Sequence, residues 1–324
     1  MTHDDGDAQR PPGGRRRGVG ARGVAVGAFA AALAAGLALA AVHGGSGSGG
    51  SGAKTPRTDA SARPSASPSP TSESEWNRAP ESLAAVGDSI TRGFDACSLL
   101  ADCPSASWAT GTDRSVGSLA SRLLERPKAH SSNHAVSGSR MADLPQQMRR
   151  AATHDPDLVT VMTGANDACR QTTAQMTPVA EFRESFREAL RTLRADRPKA
   201  QVYVASVPDL LRLWEQGRDN PTSVRVWGLG ICQSMLKDPQ SDRPVDDKRR
   251  QEVRERVVAY NGALREVCAA DARCRYDEGA VFDFRFSAGE LSSWDWFHPS
   301  RQGQQRLADL AYRQITAEED AGSD

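Results

Sequence analysis

A hydroxyl, a carboxylate and an imidazole stand far apart in this chain, yet together they could make a nucleophile. Ser89 lies in AAVGDSITRGF, and Asp295 and His298 lie three residues apart in SSWDWFHPS. A serine hydroxyl attacks a carbonyl only after a neighbouring base takes its proton. An imidazole, with an unperturbed pKa of about 6.5, does this near neutral pH. Its second nitrogen must be fixed by an acceptor, and Asp295 supplies one if the chain turns back between 295 and 298. Attack also places negative charge on the substrate oxygen, which needs donors. The backbone N–H of Ser89, the backbone N–H of Gly138 in AVSGSR and the side-chain amide of Asn166 in GAND are candidates. Removing one such donor typically costs about 3–4 kcal/mol in the barrier. Each residue alone reads more readily as a helix cap, a turn former or a surface group. Their conjunction carries the functional reading.

The elements that must bring them together follow from the hydrophobic pattern. Apolar runs of strand length alternate with amphipathic segments of helix length from about Trp76 to Ile315. Strands are expected over Ser82–Asp88, His134–Gly138, from Asp157, and over Gln201–Asp209, with a short one inside Arg275–Phe284. Helices are expected over Val116–Pro127, Asp143–His154, Thr177–Pro198, Asp246–Ala272 and Pro299–Ile315. In the third of these, Phe182, Phe186, Leu190 and Leu193 share one face, Thr177 would cap and Pro178 would start the helix. Such alternation implies βαβ units around a parallel sheet covered on both faces. Ligands of such sheets sit outside the carboxyl ends of the strands. Ser89, Gly138 and Asn166 each follow an apolar run, where that rule places a site.

The four blocks, Ser89 in GDSI, Gly138 in AVSGSR, Asn166 in GAND and His298 in DWFHPS, occur in the order found in the SGNH hydrolases, also called GDSL esterases and lipases. The chain resembles that family over about 210 residues. The resemblance implies a flavodoxin-like three-layer α/β/α sandwich and ester hydrolysis through an acyl-enzyme, with neither metal nor organic cofactor. Ile90 stands where the name motif has Leu, a volume-conserving change, and Ala165 stands where Gly is common.

The six cysteines are Cys97, Cys103, Cys169, Cys232, Cys268 and Cys274. No CxxC pair occurs, which argues against structural zinc. An even count in an exported chain suggests three disulfides, and six cysteines allow 15 connectivities. The chain resembles the secreted actinobacterial members of the family with three disulfides, and that resemblance implies the sequential pairing 97–103, 169–232 and 268–274. A 169–232 bridge would tie the segment after Asn166 to the long connection beyond Pro208.

Residues 1–43 read as an export signal or a membrane anchor. Arg10, Arg15, Arg16, Arg17 and Arg22 precede an uncharged run from Gly23 to Val42. Ala38-Leu39-Ala40 suits a signal peptidase, while the run also reaches the length of a membrane span. Either reading places the remainder outside the cell. Residues 44–75 are rich in Gly, Ser and Pro and read as a tether without a fold. Residues 76–317 read as the catalytic domain and 318–324 as a disordered acidic tail. Lys plus Arg and Asp plus Glu both number 41, a balance that argues against a nucleic-acid binder. The chain is expected to act as a monomer on an acyl ester, of a lipid or of a small molecule.

The long connection between Pro208 and Val245 carries Trp214, Trp227, Leu229, Ile231, Met235 and Leu236. It reads either as an acyl-pocket wall or as short helices packed on the core. Trp294, Trp296 and Phe297 would shield or anchor the histidine loop. Asp88 and Asp167 are expected to bond loop backbone, and Arg140 to lie at the surface.

Overall fold

Five short strands, β1 (Leu83–Gly87), β2 (Ser131–Asn133), β3 (Leu158–Met162), β4 (Gln201–Val204) and β5 (Cys274–Tyr276), pair in parallel in the order β2-β1-β3-β4-β5. This is the flavodoxin-like order, in which the chain runs to one side of β1 for β2 and to the other for β3. The computed structural model describes residues 76–318. The expected signal or anchor, the linker and all but the first residue of the acidic tail lie outside the described residues.

Strand alternation decides the layers. Ala84, Val86, Val159, Val161, Val202 and Val204 pack with the helices Leu144–Ala152, Val179–Asp196 and Pro244–Ala269. Their alternates Leu83, Ala85, Leu158, Met162 and Tyr203 pack on the opposite face with helices Leu119–Leu123 and Arg301–Thr316. Because successive side chains point to opposite faces, both faces must be apolar, and β1 and β3 are buried at every position. The result is a three-layer α/β/α sandwich around a central parallel sheet.

Several element boundaries differ from expectation. The second strand is Ser131–Asn133, and the more apolar HAVSG is the loop that follows it. Register explains this: Leu83, Ala84 and Ala85 pair with Ser131, Ser132 and Asn133, so hydrogen bonding rather than hydropathy places the strand at this edge of the sheet. Pro127 begins a short helix, Pro127–His130, instead of ending one, as its fixed φ suits a first helical position. Pro178, with extended ψ, precedes the helix Val179–Asp196 and takes the cap position expected for Thr177.

Three disulfides join Cys97 to Cys103, Cys169 to Cys232 and Cys268 to Cys274. The second closes 63 residues, which in the loop-entropy account is worth about 4 kcal/mol. Among the described residues, no helix is long and apolar enough to cross a membrane.

Candidate active site

The site is assembled at the carboxyl ends of β1, β2 and β3. Gly87 ends β1, where φ is +145° and a Cβ would come within 2.1 Å of the Met162 carbonyl oxygen. Only glycine lets β1 and β3 approach so closely at this point. Asp88 then caps the short helix Ser89–Arg92 by accepting from the Ile90 N–H at 3.0 Å. Ser89 is therefore the first residue of that helix, and its N–H has no carbonyl within the helix to bond.

His298 reaches Ser89 from the far end of the chain. Its Nε2 lies 2.9 Å from Ser89 Oγ, and its Nδ1 lies 2.5 Å from Asp295 Oδ2. Asp295 folds back because its Oδ1 accepts the N–H groups of Phe297 and His298, at 2.9 and 3.0 Å. Burial pushes the Asp295 carboxyl up, but the hydrogen bond and charge of His298 outweigh it and hold the group below its usual range. Phe94 and Phe297 flank the imidazole, with ring centroids 4.9 and 5.1 Å away.

Gly138 adopts φ +81°, and a Cβ there would meet nothing within 4 Å. The requirement is the left-handed conformation. Asn166 approaches this loop directly, its side-chain amide donating to the Ser139 carbonyl at 2.9 Å. Asp167 Oδ2 accepts from the Met141 N–H at 2.9 Å, which ties the end of β3 to the same loop. Burial raises the pKa of Asp167 and pushes Asp88 up to about 7. Arg140 is exposed, and its backbone N–H bonds Asp143.

Two buried glutamines hold these ends in place, and the hydrophobic pattern did not single them out. Gln147 accepts from the Gly87 N–H at 2.7 Å and donates to the Gly87 carbonyl at 2.9 Å and to Ser139 Oγ at 3.0 Å. It clamps the end of β1 to the Gly138 loop. Gln304 donates to the Ile90 carbonyl and accepts from the Trp108 N–H, at 2.8 and 2.9 Å. The signal for both was a polar residue on the inward face of an amphipathic helix. Asp95 was also missed. It is 1 % exposed, one of its carboxyl oxygens lies within 4.8 Å of one of Asp295, and burial followed by the charge of Asp295 pushes it up to about 6.

Asp95, Asp295 and His298 each bring one oxygen or nitrogen within 4.8 Å of the others. The Nδ1–Oδ2 pair of that group is already hydrogen-bonded, so the arrangement reads as a hydrogen-bond chain rather than a metal centre.

A narrow apolar recess adjoins the site. Ile90, Ala165, Phe297 and Pro299, each one residue from Ser89, Asn166 or His298, line it with Leu213 and Phe284. The connection after Pro208 contributes its first residues to this wall. Its larger aromatic and aliphatic residues follow the second of the two expected arrangements, short helices packed on the core. Trp214, Trp227, Met235 and Leu236 belong to the core, Ile231 packs against it and Leu229 is 83 % exposed. The helices Leu210–Gly217, Pro221–Trp227 and Gln233–Leu236 account for this burial. Trp227 also donates from Nε1 to the Asp295 carbonyl at 3.1 Å, bracing the acid loop. Trp296 and Phe297 pack against the core, while Trp294 is half exposed.

Solved structures with a similar fold include an alpha/beta hydrolase enzyme from the metagenome of Lake Arreo, Spain. It is 19% identical, with 74% of this chain and 97% of that one covered and a TM-score of 0.44. A catalytic mutant of an acetylxylan esterase from Geobacillus stearothermophilus is 16% identical, covering 74% and 95% at a TM-score of 0.43. A family 3 carbohydrate esterase from Clostridium thermocellum is 15% identical, covering 72% and 94% at 0.41. No curated protein matches the chain significantly. The assignment rests on the family match, which runs over residues 85–306 and takes in Ser89, Gly138, Asn166, Asp295 and His298. The chain belongs to the GDSL-like lipase/acylhydrolase family.

Proposed function

We propose that this protein is an extracellular serine ester hydrolase that cleaves acyl esters through an acyl-enzyme. The observation that carries this reading is the unbroken hydrogen-bond chain Ser89–His298–Asp295 at the strand ends. His298 removes the Ser89 proton as Oγ attacks the ester carbonyl. Asp295 holds the imidazole with Nε2 towards serine and stabilises the imidazolium that forms. The N–H groups of Ser89 and Gly138 and the Asn166 amide receive the oxyanion. The imidazolium then protonates the leaving alcohol, and water, deprotonated by the same base, releases the acid. No metal or organic cofactor has a part in this sequence of steps.

The apolar recess beside Ile90, Ala165 and Phe297 supports an acyl group longer than acetyl. Three disulfides support an oxidising compartment. Turnover of chromogenic esters from two to sixteen carbons by the 76–324 fragment tests the reading, with Ser89→Ala as control. Activity that rises beyond acetyl and vanishes in Ser89→Ala is expected. Undiminished activity in the variant would sink the nucleophile, and turnover of acetyl alone would point to O-deacetylation of carbohydrates.

A further inference from the structure

Asp95 follows the helix Ser89–Arg92 and stands two residues before the Cys97–Cys103 disulfide. Its backbone is left-handed at φ 55°, an uncommon conformation outside glycine. Its neighbours hold it there. The Asp95 N–H donates to the Ala101 carbonyl at 3.0 Å, and the Asp95 carbonyl accepts from Ser292 Oγ at 2.8 Å. Asp95 Oδ1 accepts the Leu100 N–H. The other oxygen, Oδ2, is buried and receives no donor. Asp295, with an oxygen within 4.8 Å of the Asp95 carboxyl, already accepts three N–H groups.

Two buried carboxyls with oxygens within 4.8 Å of each other repel while both are ionised, and cannot hydrogen-bond in that state. One of them must carry a proton to act as donor. Asp295 is held ionised by three N–H donors, so the proton falls to Asp95. The ionisable groups facing Asp95 are Asp295 and His298. Arg92, nearby on the nucleophile helix, is paired with Asp102 at 3.0 Å.

Resting on the hydrolase reading above, we propose that Asp95 is a positioning residue which, as the neutral acid, donates a hydrogen bond to Asp295 and so extends the chain to Asp95–Asp295–His298–Ser89. The bond gives the buried Oδ2 of Asp95 its role and fixes the Asp295 carboxylate. It also removes some electron density from Asp295, which moderates the basicity of the imidazole. Burial and Asp295 push the Asp95 carboxyl up to about 6. The bond is therefore in place at mildly acidic pH, and above about pH 6 a second negative charge replaces it.

Asp95→Asn and Asp95→Leu separate the donor from the charge. Asparagine keeps an acceptor for Leu100 and a donor for Asp295 without ever ionising. At pH 5.5, Asp95→Asn is expected within twofold of wild type in kcat, and Asp95→Leu at least tenfold lower. The acid limb of kcat/KM should move to higher pH in Asp95→Leu and stay in place in Asp95→Asn. Above pH 6 the profiles of wild type and Asp95→Asn should separate. An infrared difference spectrum at pH 5.5 reads the proton without any substrate. Wild type minus Asp95→Asn should show one protonated carboxyl. Absence of that band, an Asp95→Asn variant as impaired as Asp95→Leu, or superimposed profiles throughout would each overturn the proposal. If wild type shows the band but hydrolyses no ester, the hydrolase reading fails while the Asp95–Asp295 bond stands.

Discussion

The two halves of the candidate site are held by different means. Ser89 sits where regular structure leaves little freedom. A buried parallel strand ends at Gly87, Asp88 caps a helix, and Gln147 and Gln304 pin the backbone on either side. Asp295 and His298 sit in a segment without helix or strand beyond a single bridge between Leu291 and Pro299. Side chains define that segment: Asp295 bonds its own loop backbone, Ser292 bonds Asp95, and Trp227 reaches the Asp295 carbonyl. Ser89 is thus placed by the sheet, and His298 by a local network that must be complete to hold its shape.

If that contrast is right, damage to the base loop should cost turnover while sparing the fold, and damage to the nucleophile's supports should cost both. The largest expected effect is Asp295→Asn. It should lower kcat by about 10³–10⁴-fold, as in other triads that lose the acceptor for Nδ1, with little change in circular dichroism. A loss below tenfold would mean that another group orients His298.

Gln147→Leu should come next. It strands the N–H of Gly87 in a buried site, while the carbonyl keeps Ser139 Oγ and the Val136 N–H, at a cost of about 2 kcal/mol in stability, with a fall of about tenfold in kcat/KM. Thermal unfolding beside ester kinetics checks it, and an unchanged Tm would break the claim that regular structure here depends on this clamp. Trp227→Phe removes one hydrogen bond from the acid loop, worth about 1 kcal/mol. A severalfold drop in kcat is expected, with a loss of a few degrees in Tm from the bond and the vacated core volume.

The smallest effect on turnover is expected from Asp88→Asn, which keeps a good helix cap. Its signature is in stability. Burial raises the Asp88 carboxyl from 3.8 to about 7 in the folded chain. The folded state therefore holds a proton that the unfolded state gives up, and wild type loses stability as pH rises through that window. The Tm of Asp88→Asn should gain on wild type between about pH 4 and 7. A constant gap would show that Asp88 is ionised in the fold.

The same contrast explains what could be read from the chain beforehand. The strands β1, β3 and β4 announce themselves because a doubly covered parallel strand is a continuous apolar run. Ser89 and Asn166 follow from those runs, because ligands of such sheets gather at the strand ends. The edge strand Ser131–Asn133 was hidden, since its polar residues are only partly buried and owe their place to register with β1. Asp95 was hidden for a related reason. Its link to Asp295 spans 200 residues and is carried by side chains, and no periodicity marks such a contact. Composition left two readings of the connection after Pro208, and the structure shows the short helices packed on the core. Its tryptophans fill the core and brace the Asp295 loop, and Phe284 and Phe286, less conspicuous in sequence, line the recess.

The central claim is that Ser89 is made nucleophilic by His298. The most direct measurement treats the protein with a serine-directed phosphonate and maps the adduct by mass spectrometry, in wild type and in His298→Ala. The account predicts one adduct, on Ser89, formed in wild type and almost absent without the imidazole. An adduct on another residue, or equal labelling of Ser89 in both proteins, would contradict it.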